Sequence, residues 1–365
     1  MKIAVVGAGI FGVTAATRLA KSGHSVDLFE KHGDILQAAS GINQFRLHRG
    51  YHYPRSPETI RESLSAQESF AGEYRPAIID DFDHHYCIAK EKSFVSGDQF
   101  MKTCLEYGLE HEHCELGLVS DTKVGAKLKV KESLVDLEKL KELCWKKLNA
   151  SRVRVLLNTK ADAQSIKKYD FIVLCMYADN NEFTESLGIP SQDYQYELCE
   201  KIVIKLPDQF KNKSIVIMDG PFMCVDPFGK TNLFLMGNVV HAIHHSNVGK
   251  HPEIPSEFIP LLNRGVIKNP PITNFSLFID SAAEFIPAIK QAEHVGSMYT
   301  VRTVLANVDK TDKRPTLVDR VAPNIVRVFS GKIGTCVQAA QEVERIINEM
   351  EGVEKRVANE RVALS

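Results

Sequence analysis

The clearest pattern along the chain is at its start. Lys2 to Val6 is almost unbroken apolar sequence, as a strand buried on both faces of a parallel sheet requires. Gly7, Gly9 and Gly12 follow at once. A helical run then carries Ala16 and Leu19 inward as far as Ser22, and Gly23 ends it. A second apolar strand, Ser25 to Phe29, delivers Glu30. Further on, Ser56 and Pro57 mark a helix start as N-cap and first helical residue. FDHHYCIAK (82–90) reads as a strand and 96–109 as a helix. Leu137, Leu140, Leu143, Cys144 and Leu148 share one helical stripe behind Asp136 as N-cap. Strands are predicted at Val153 to Asn158 and over 169–180. The β-rich runs of 196–245 predict an antiparallel meander that turns at Pro227-Phe228-Gly229. Helices are predicted over 255–264 and 276–292. The C-terminal part offers a strand (NIVRVFS), a glycine loop (GKIGT) and a helix from Cys336 to Ile347. Val337, Ala340, Val343 and Ile347 form one side of that helix, and Thr335 is its expected N-cap.

The order strand, glycines, helix, strand, acid is that of a dinucleotide-binding βαβ unit. Gly7 permits the tight turn, Gly9 the approach of backbone to a pyrophosphate, and Gly12 close packing of helix on strand. Glu30, 18 residues past Gly12, is placed to accept from both ribose hydroxyls. Its charge disfavours a 2′-phosphate and hence NADP, leaving NAD and FAD open.

A second feature is polar. NQFRLHRGYHYP (43–54) sets two arginines, two histidines and two tyrosines around Gly50. Ser40, Gly41 and Asn43 precede it in a turn-forming stretch. With these residues added, the chain resembles the D-amino-acid oxidase and glycine oxidase superfamily of FAD enzymes. It looks most like the branch that includes the L-2-hydroxyglutarate dehydrogenases. That branch carries serine or threonine, G-x-N, a histidine five residues on, then x-G-x-x-Y, matched here by Ser40, Gly41, Asn43, His48, Gly50 and Tyr53. Gln44, Phe45 and Arg46 replace the family's small residues.

The resemblance implies an α/β fold, α+β overall. A doubly wound Rossmann-like FAD domain (1–75, 131–185 and 295–350) would be interleaved with a substrate domain built on a mixed or antiparallel sheet (76–130 and 186–294), leaving 351–365 as a tail. It implies FAD, held non-covalently rather than through His48, with Gly7, Gly9, Gly12, Glu30, Lys31, Ser40, Asn43, Arg46, Gly331, Gly334 and Thr335 as cofactor-binding residues. His48 is the implied base or polariser near the isoalloxazine; a histidine bound to backbone that merely orders the loop is the plainer alternative. Arg302, in the strand YTVRTVL, occupies the place of a substrate-carboxylate clamp, and a structural ion pair is its alternative. Arg314 is a second choice for the clamp. Tyr51 and Tyr53 would shape the pocket, and Arg49 and Arg55 are read as solvated surface residues. The last helix would aim its positive end at the reduced flavin, with Lys332 adding charge.

The implied activity is hydride transfer from a small amino acid, amine or 2-hydroxy acid to flavin N5, with oxygen or a quinone as acceptor. A flavin-dependent sugar mutase and a non-catalytic FAD-binding protein stand as alternatives.

Composition narrows the rest. The 365 residues are 44% hydrophobic, enough for a substantial core, and the net charge of −1 favours neither nucleic acid nor an anionic membrane. The eight cysteines contain no C-x-x-C pair and several lie in apolar runs, so they read as reduced, buried thiols of a cytoplasmic protein. Glycines and threonine interrupt the apolar first twenty residues, which argues against a signal peptide. No apolar run reaches the ~18 residues of a membrane span. The histidines of 241–251 and of HEHC (111–114) lack companions at zinc-site spacing, and no metal is expected.

Overall fold

The computed structural model describes residues 1–306 and 314–363, with side chains described up to residue 350. The chain divides into two compact units. One comprises Met1–Ile35, Cys144–Pro190 and Pro315–Ser365; the other comprises Leu36–Leu143 and Ser191–Arg314.

The first unit is built on a six-stranded sheet. Its order is Leu317–Ala322, Ile325–Phe329, Phe171–Leu174, Lys2–Val6, Ser25–Phe29, Arg154–Leu156. All neighbours pair in parallel except the edge strand Leu317–Ala322, which is antiparallel. The helix Ile10–Lys21 is buried through Val13, Ala16 and Leu19, and packs against the C-terminal helix. Arg18 reaches Glu344 of that helix at 2.6 Å. An apolar cluster of Ala4, Val6, Phe29, Ile172, Leu174, Phe183 and Ile325 forms the core around the sheet. Asp27, in the second strand, is buried, yet Arg154 and Tyr169 bind its carboxylate; they outweigh burial and hold its pKa below the usual range.

The second unit carries a nine-stranded mixed sheet. Lys213–Met218, Met223–Pro227, Phe234–Asn238 and Tyr194–Lys205 follow one another in antiparallel pairing, so the expected meander is present. Lys213–Met218 also pairs in parallel with Asp83–Ala89, a contact between segments far apart in sequence. Glu293–Leu305 runs along the whole of Tyr194–Lys205. A small separate sheet joins Arg46–Leu47, Ser133–Val135 and Ile78–Ile79.

Several expectations need correction. Residues 36–75, 131–143 and 295–306 were assigned to the nucleotide-binding domain but cluster with the larger sheet, and 186–190, assigned to the substrate domain, cluster with the first unit. The reason is pairing: Arg302's strand finds its partners on Tyr194–Lys205, and Arg46 lies buried among strands of the second unit. The segment 255–264 forms only the 3-10 turn Ser256–Leu261, which contains Pro260, and 276–292 breaks into Phe275–Ala283 and Pro287–Gln291. The strand predicted over 169–180 ends at Leu174. The stretch expected as a tail continues the last helix, which spans Cys336–Ala363. Capping signals held in part: Ser56 stands at the start of Pro57–Tyr74 but makes no side-chain cap hydrogen bond, its hydroxyl meeting Thr59 Oγ1 at 2.8 Å instead. Asp136 accepts from Lys139 N at 3.0 Å, and Ser96 with Gln99 closes a reciprocal box at the start of Gly97–Glu106.

Candidate active site

The nucleotide cradle is set by backbone. Gly7 has φ +97°, and a Cβ there would lie 2.5 Å from the Cys175 carbonyl oxygen. A Cβ on Gly12 would lie 1.8 Å from the Gly7 carbonyl oxygen, so only glycine lets the helix seat on the loop. Gly9 caps the helix without a side chain, and no acid occupies the first turn. The positive end of this helix is therefore not offset by its own residues, the condition that suits a diphosphate.

Glu30, 8% exposed, closes the cradle. One carboxylate oxygen accepts from Ala8 N at 2.8 Å and the other from His32 N at 2.9 Å. Each oxygen keeps a lone pair for a further donor, such as a ribose hydroxyl. Lys31, beside it, is taken up by an ion pair with Asp179.

The second glycine loop belongs to the same unit. Gly331 N donates to Thr316 Oγ1 at 3.0 Å. Thr335 Oγ1 lies 2.6 Å from Thr316 Oγ1 and 2.8 Å from the Lys332 carbonyl oxygen. Thr335 thus closes the 3-10 turn Ile333–Thr335 that leads directly into the last helix at Cys336. Gly334 is buried within the turn, and Lys332 opens it. No acid stands in the first turn of the last helix.

After Phe171–Leu174 the chain lacks the glycine usual in the resembled family. Tyr177 adopts the left-handed conformation instead, at φ +54°. The buried Asn180 braces the turn, accepting from Met176 N and donating to the Val328 carbonyl.

The polar loop of the second unit is organised by one arginine. All five N–H donors of Arg46 are occupied. Nε and Nη2 meet Asp226 at 3.1 and 2.5 Å, Nη2 also meets Ser214 at 2.6 Å, and Nη1 meets Glu132 at 3.1 Å and Tyr86 at 3.3 Å. The expected cofactor role of Arg46 is therefore corrected, because no donor is left for a ligand. Burial would push the Glu132 carboxyl up, but His48, Arg46 and Tyr86 together hold it far below the usual carboxylate range. Burial, then the charge of Arg46, pushes nearby His84 down to about 4, so it is neutral at physiological pH.

His48 stands beside this network, with Nδ1 3.6 Å from Glu132 Oε1 and its side chain 18% exposed. Its ring lies against His52 and edge-on to Tyr53. Tyr51 is 1% exposed and donates to the Glu110 carbonyl at 2.6 Å, which removes it from the candidate catalytic groups. The Asn43 side chain staples its own loop: its amide donates to the carbonyls of Ala39 and Ser40, and its oxygen accepts from Phe45 N. Ser40 enters that staple through its backbone. Arg55, expected on the surface, pairs with Asp219 at 2.6 Å and lies over Phe94.

Arg302 meets Glu197 across the strand pair in an ion pair. Its side chain remains 43% exposed while Glu197 is buried, so the guanidinium is reachable but its charge is largely offset.

Glu132, Asp226 and Glu197 escaped the sequence reading. Asp226, an acid inside the apolar run MCVDP, carried the available signal, since a carboxylate in a buried strand demands a cation.

Comparison with known proteins follows the same lines. Residues 2–115 match the model of the FAD dependent oxidoreductase family. The FAD-dependent monooxygenase kojA of Aspergillus flavus is 25% identical over 395 positions, covering 96% of this chain and 86% of that protein. Among solved structures, glycine oxidase from Geobacillus kaustophilus aligns with a TM-score of 0.70 at 14% identity, over 96% of this chain and 94% of that one. FAD-bound L-alpha-glycerophosphate oxidase from Mycoplasma pneumoniae aligns with a TM-score of 0.71 at 14% identity, over 95% and 94%.

Proposed function

We propose that the chain, whose residues 2–115 match the FAD dependent oxidoreductase family, is an oxidase or dehydrogenase acting on a carbon that bears an amine or a hydroxyl. The substrates would be small amino acids, amines or 2-hydroxy acids, and oxygen or a quinone the acceptor.

The observation that carries this reading is the cradle. A glycine turn without side chains, a helix start without acids and a buried carboxylate fit the ADP half of FAD in that order. FAD, when bound, supplies the hydride acceptor. Gly7, Ala8 and Gly9 would hold the diphosphate, and Glu30 the ribose hydroxyls. The loop with Gly331, Lys332, Gly334 and Thr335 would serve the flavin end, where the start of the last helix favours negative charge. His48 would receive the substrate's N–H or O–H proton. Arg302 would orient a substrate carboxylate, more weakly than a lone arginine because Glu197 already faces it.

Hydroxylation is the second reading, supported by the monooxygenase relative that spans nearly the whole chain. One experiment separates the two. The purified protein is mixed without oxygen with amino acids, N-methyl amines, 2-hydroxy acids and sugar derivatives, and the visible flavin absorbance is followed. Bleaching by a substrate alone supports an oxidase or dehydrogenase. Bleaching that requires a nicotinamide reductant, followed by oxygen uptake coupled to substrate, favours hydroxylation. A colourless protein that takes up no flavin overturns both.

A further inference from the structure

We propose that Glu132 is the positioning residue for His48: it turns Nδ1 of the imidazole inward with its hydrogen and leaves Nε2 as the basic nitrogen. This rests on the reading of His48 as proton acceptor and adds to it the partner that sets the ring's direction.

Glu132 lies between the strands Val124–Val130 and Ser133–Val135, and its side chain is fully buried. It is immobilised at both oxygens. Oε1 accepts from Arg49 N at 2.8 Å, while Oε2 accepts from Arg46 Nη1 at 3.1 Å and from the Tyr86 hydroxyl. Arg46 is itself fixed by Asp226 and Ser214, so the carboxylate cannot follow a wandering ring.

Nδ1 of His48 is buried, has no hydrogen-bond partner, and faces Oε1 at 3.6 Å. The 18% exposure of the side chain therefore belongs to its other atoms. His52 and Tyr53 brace the ring from within the same loop.

An ionised carboxylate only accepts, so the nitrogen turned toward it must carry the hydrogen; in a neutral ring the other nitrogen then carries the lone pair. The separation exceeds a hydrogen bond by roughly half an ångström, the looseness common in ligand-free sites that tighten when substrate binds. A proton leaving the substrate nitrogen or oxygen would form the Nε2–H bond, and the resulting imidazolium would face a fixed negative charge.

The test uses flavin-loaded protein labelled with 15N-histidine. Proton–nitrogen correlation spectra distinguish the two ring tautomers, and His48→Asn identifies the His48 signal. Wild-type His48 is expected to carry its hydrogen on Nδ1. Glu132→Gln and Glu132→Asp should lose that preference, and kcat should fall by roughly tenfold or more while KM changes about twofold at most. Glu132→Asp keeps the charge that Arg46 requires but withdraws it by one methylene, so it decides the matter if the glutamine variant does not fold. Wild-type protein with the hydrogen on Nε2 overturns the proposal whatever the variants do, and so do variants that both keep the wild-type tautomer. A His48→Asn protein with unimpaired turnover sinks the proton-acceptor reading alone, and the spectra still judge the positioning of the ring.

Discussion

Replacing Arg46 by methionine tests the charge network directly. Methionine approximates the length of the arginine stem but supplies no donor. Asp226 and Glu132, both with fully buried side chains, then lose their common counter-charge. Removing one partner of a buried ion pair costs about 3–5 kcal/mol, because the remaining charge stays desolvated. Some compensation remains: Asp226 keeps Ser214 at 2.6 Å and Gln44 at 2.8 Å, and Glu132 keeps Tyr86 and the Arg49 amide. These contacts argue for the lower half of that range. For a unit of this size each kcal/mol shifts Tm by about 2–4 °C, so a fall of roughly 6–15 °C is expected in a thermal melt.

The pH dependence sharpens the test. The folded-state pKa of Glu132 is depressed below the ordinary glutamate value of 4.5. Its stabilising contribution is therefore fully present above 4.5 and is lost only as pH falls through the depressed folded value. Without Arg46 the burial cost pushes the folded pKa back up. The gap between variant and wild type should be largest at neutrality and narrow toward 4.5, as the variant's carboxyl takes up a proton. Melts of flavin-loaded and flavin-stripped protein across that range would check it, the stripped form excluding stabilisation by ligand. A Tm loss below about 2 °C, or a gap independent of pH, would refute the network as a structural determinant.

Three further outcomes are expected. Gly12→Ala places a methyl 1.8 Å from a backbone oxygen; the helix must shift, with an overpacking cost of about 1–3 kcal/mol, and flavin retained through gel filtration should fall sharply. Glu30→Gln removes the charge from the oxygens proposed to meet the ribose and should weaken FAD binding to apoprotein by ~10-fold or more in calorimetry, as hydrogen bonds to a charged group are worth about 1.5–3 kcal/mol. Glu197→Gln removes the carboxylate that faces Arg302; KM should drop several-fold for carboxylate-bearing substrates and stay level for amines without one, and equal effects on both would deny Arg302 a substrate role.

The local part of this protein is written locally. Gly7, Gly9, Gly12 and Glu30 lie within one βαβ unit, where strand period, helix period and turn chemistry act over a few residues. Asp136 announces a helix start because a capping side chain reaches only two or three residues onward. What the chain could not disclose depends on which distant groups meet. Arg46 looked like a ligand-facing cation until Asp226, 180 residues away, and Glu132 were folded around it. Arg302 gained its partner only through the pairing of two long strands, which also moved its segment to the other unit. Tyr177 took over a glycine's conformation because the fold around Asn180 holds it there. Pattern records each residue's own preference for water or core. The pairing of buried charges is decided by the need to neutralise them in a medium that solvates them poorly, and only the assembled tertiary structure determines which groups are close enough to do so.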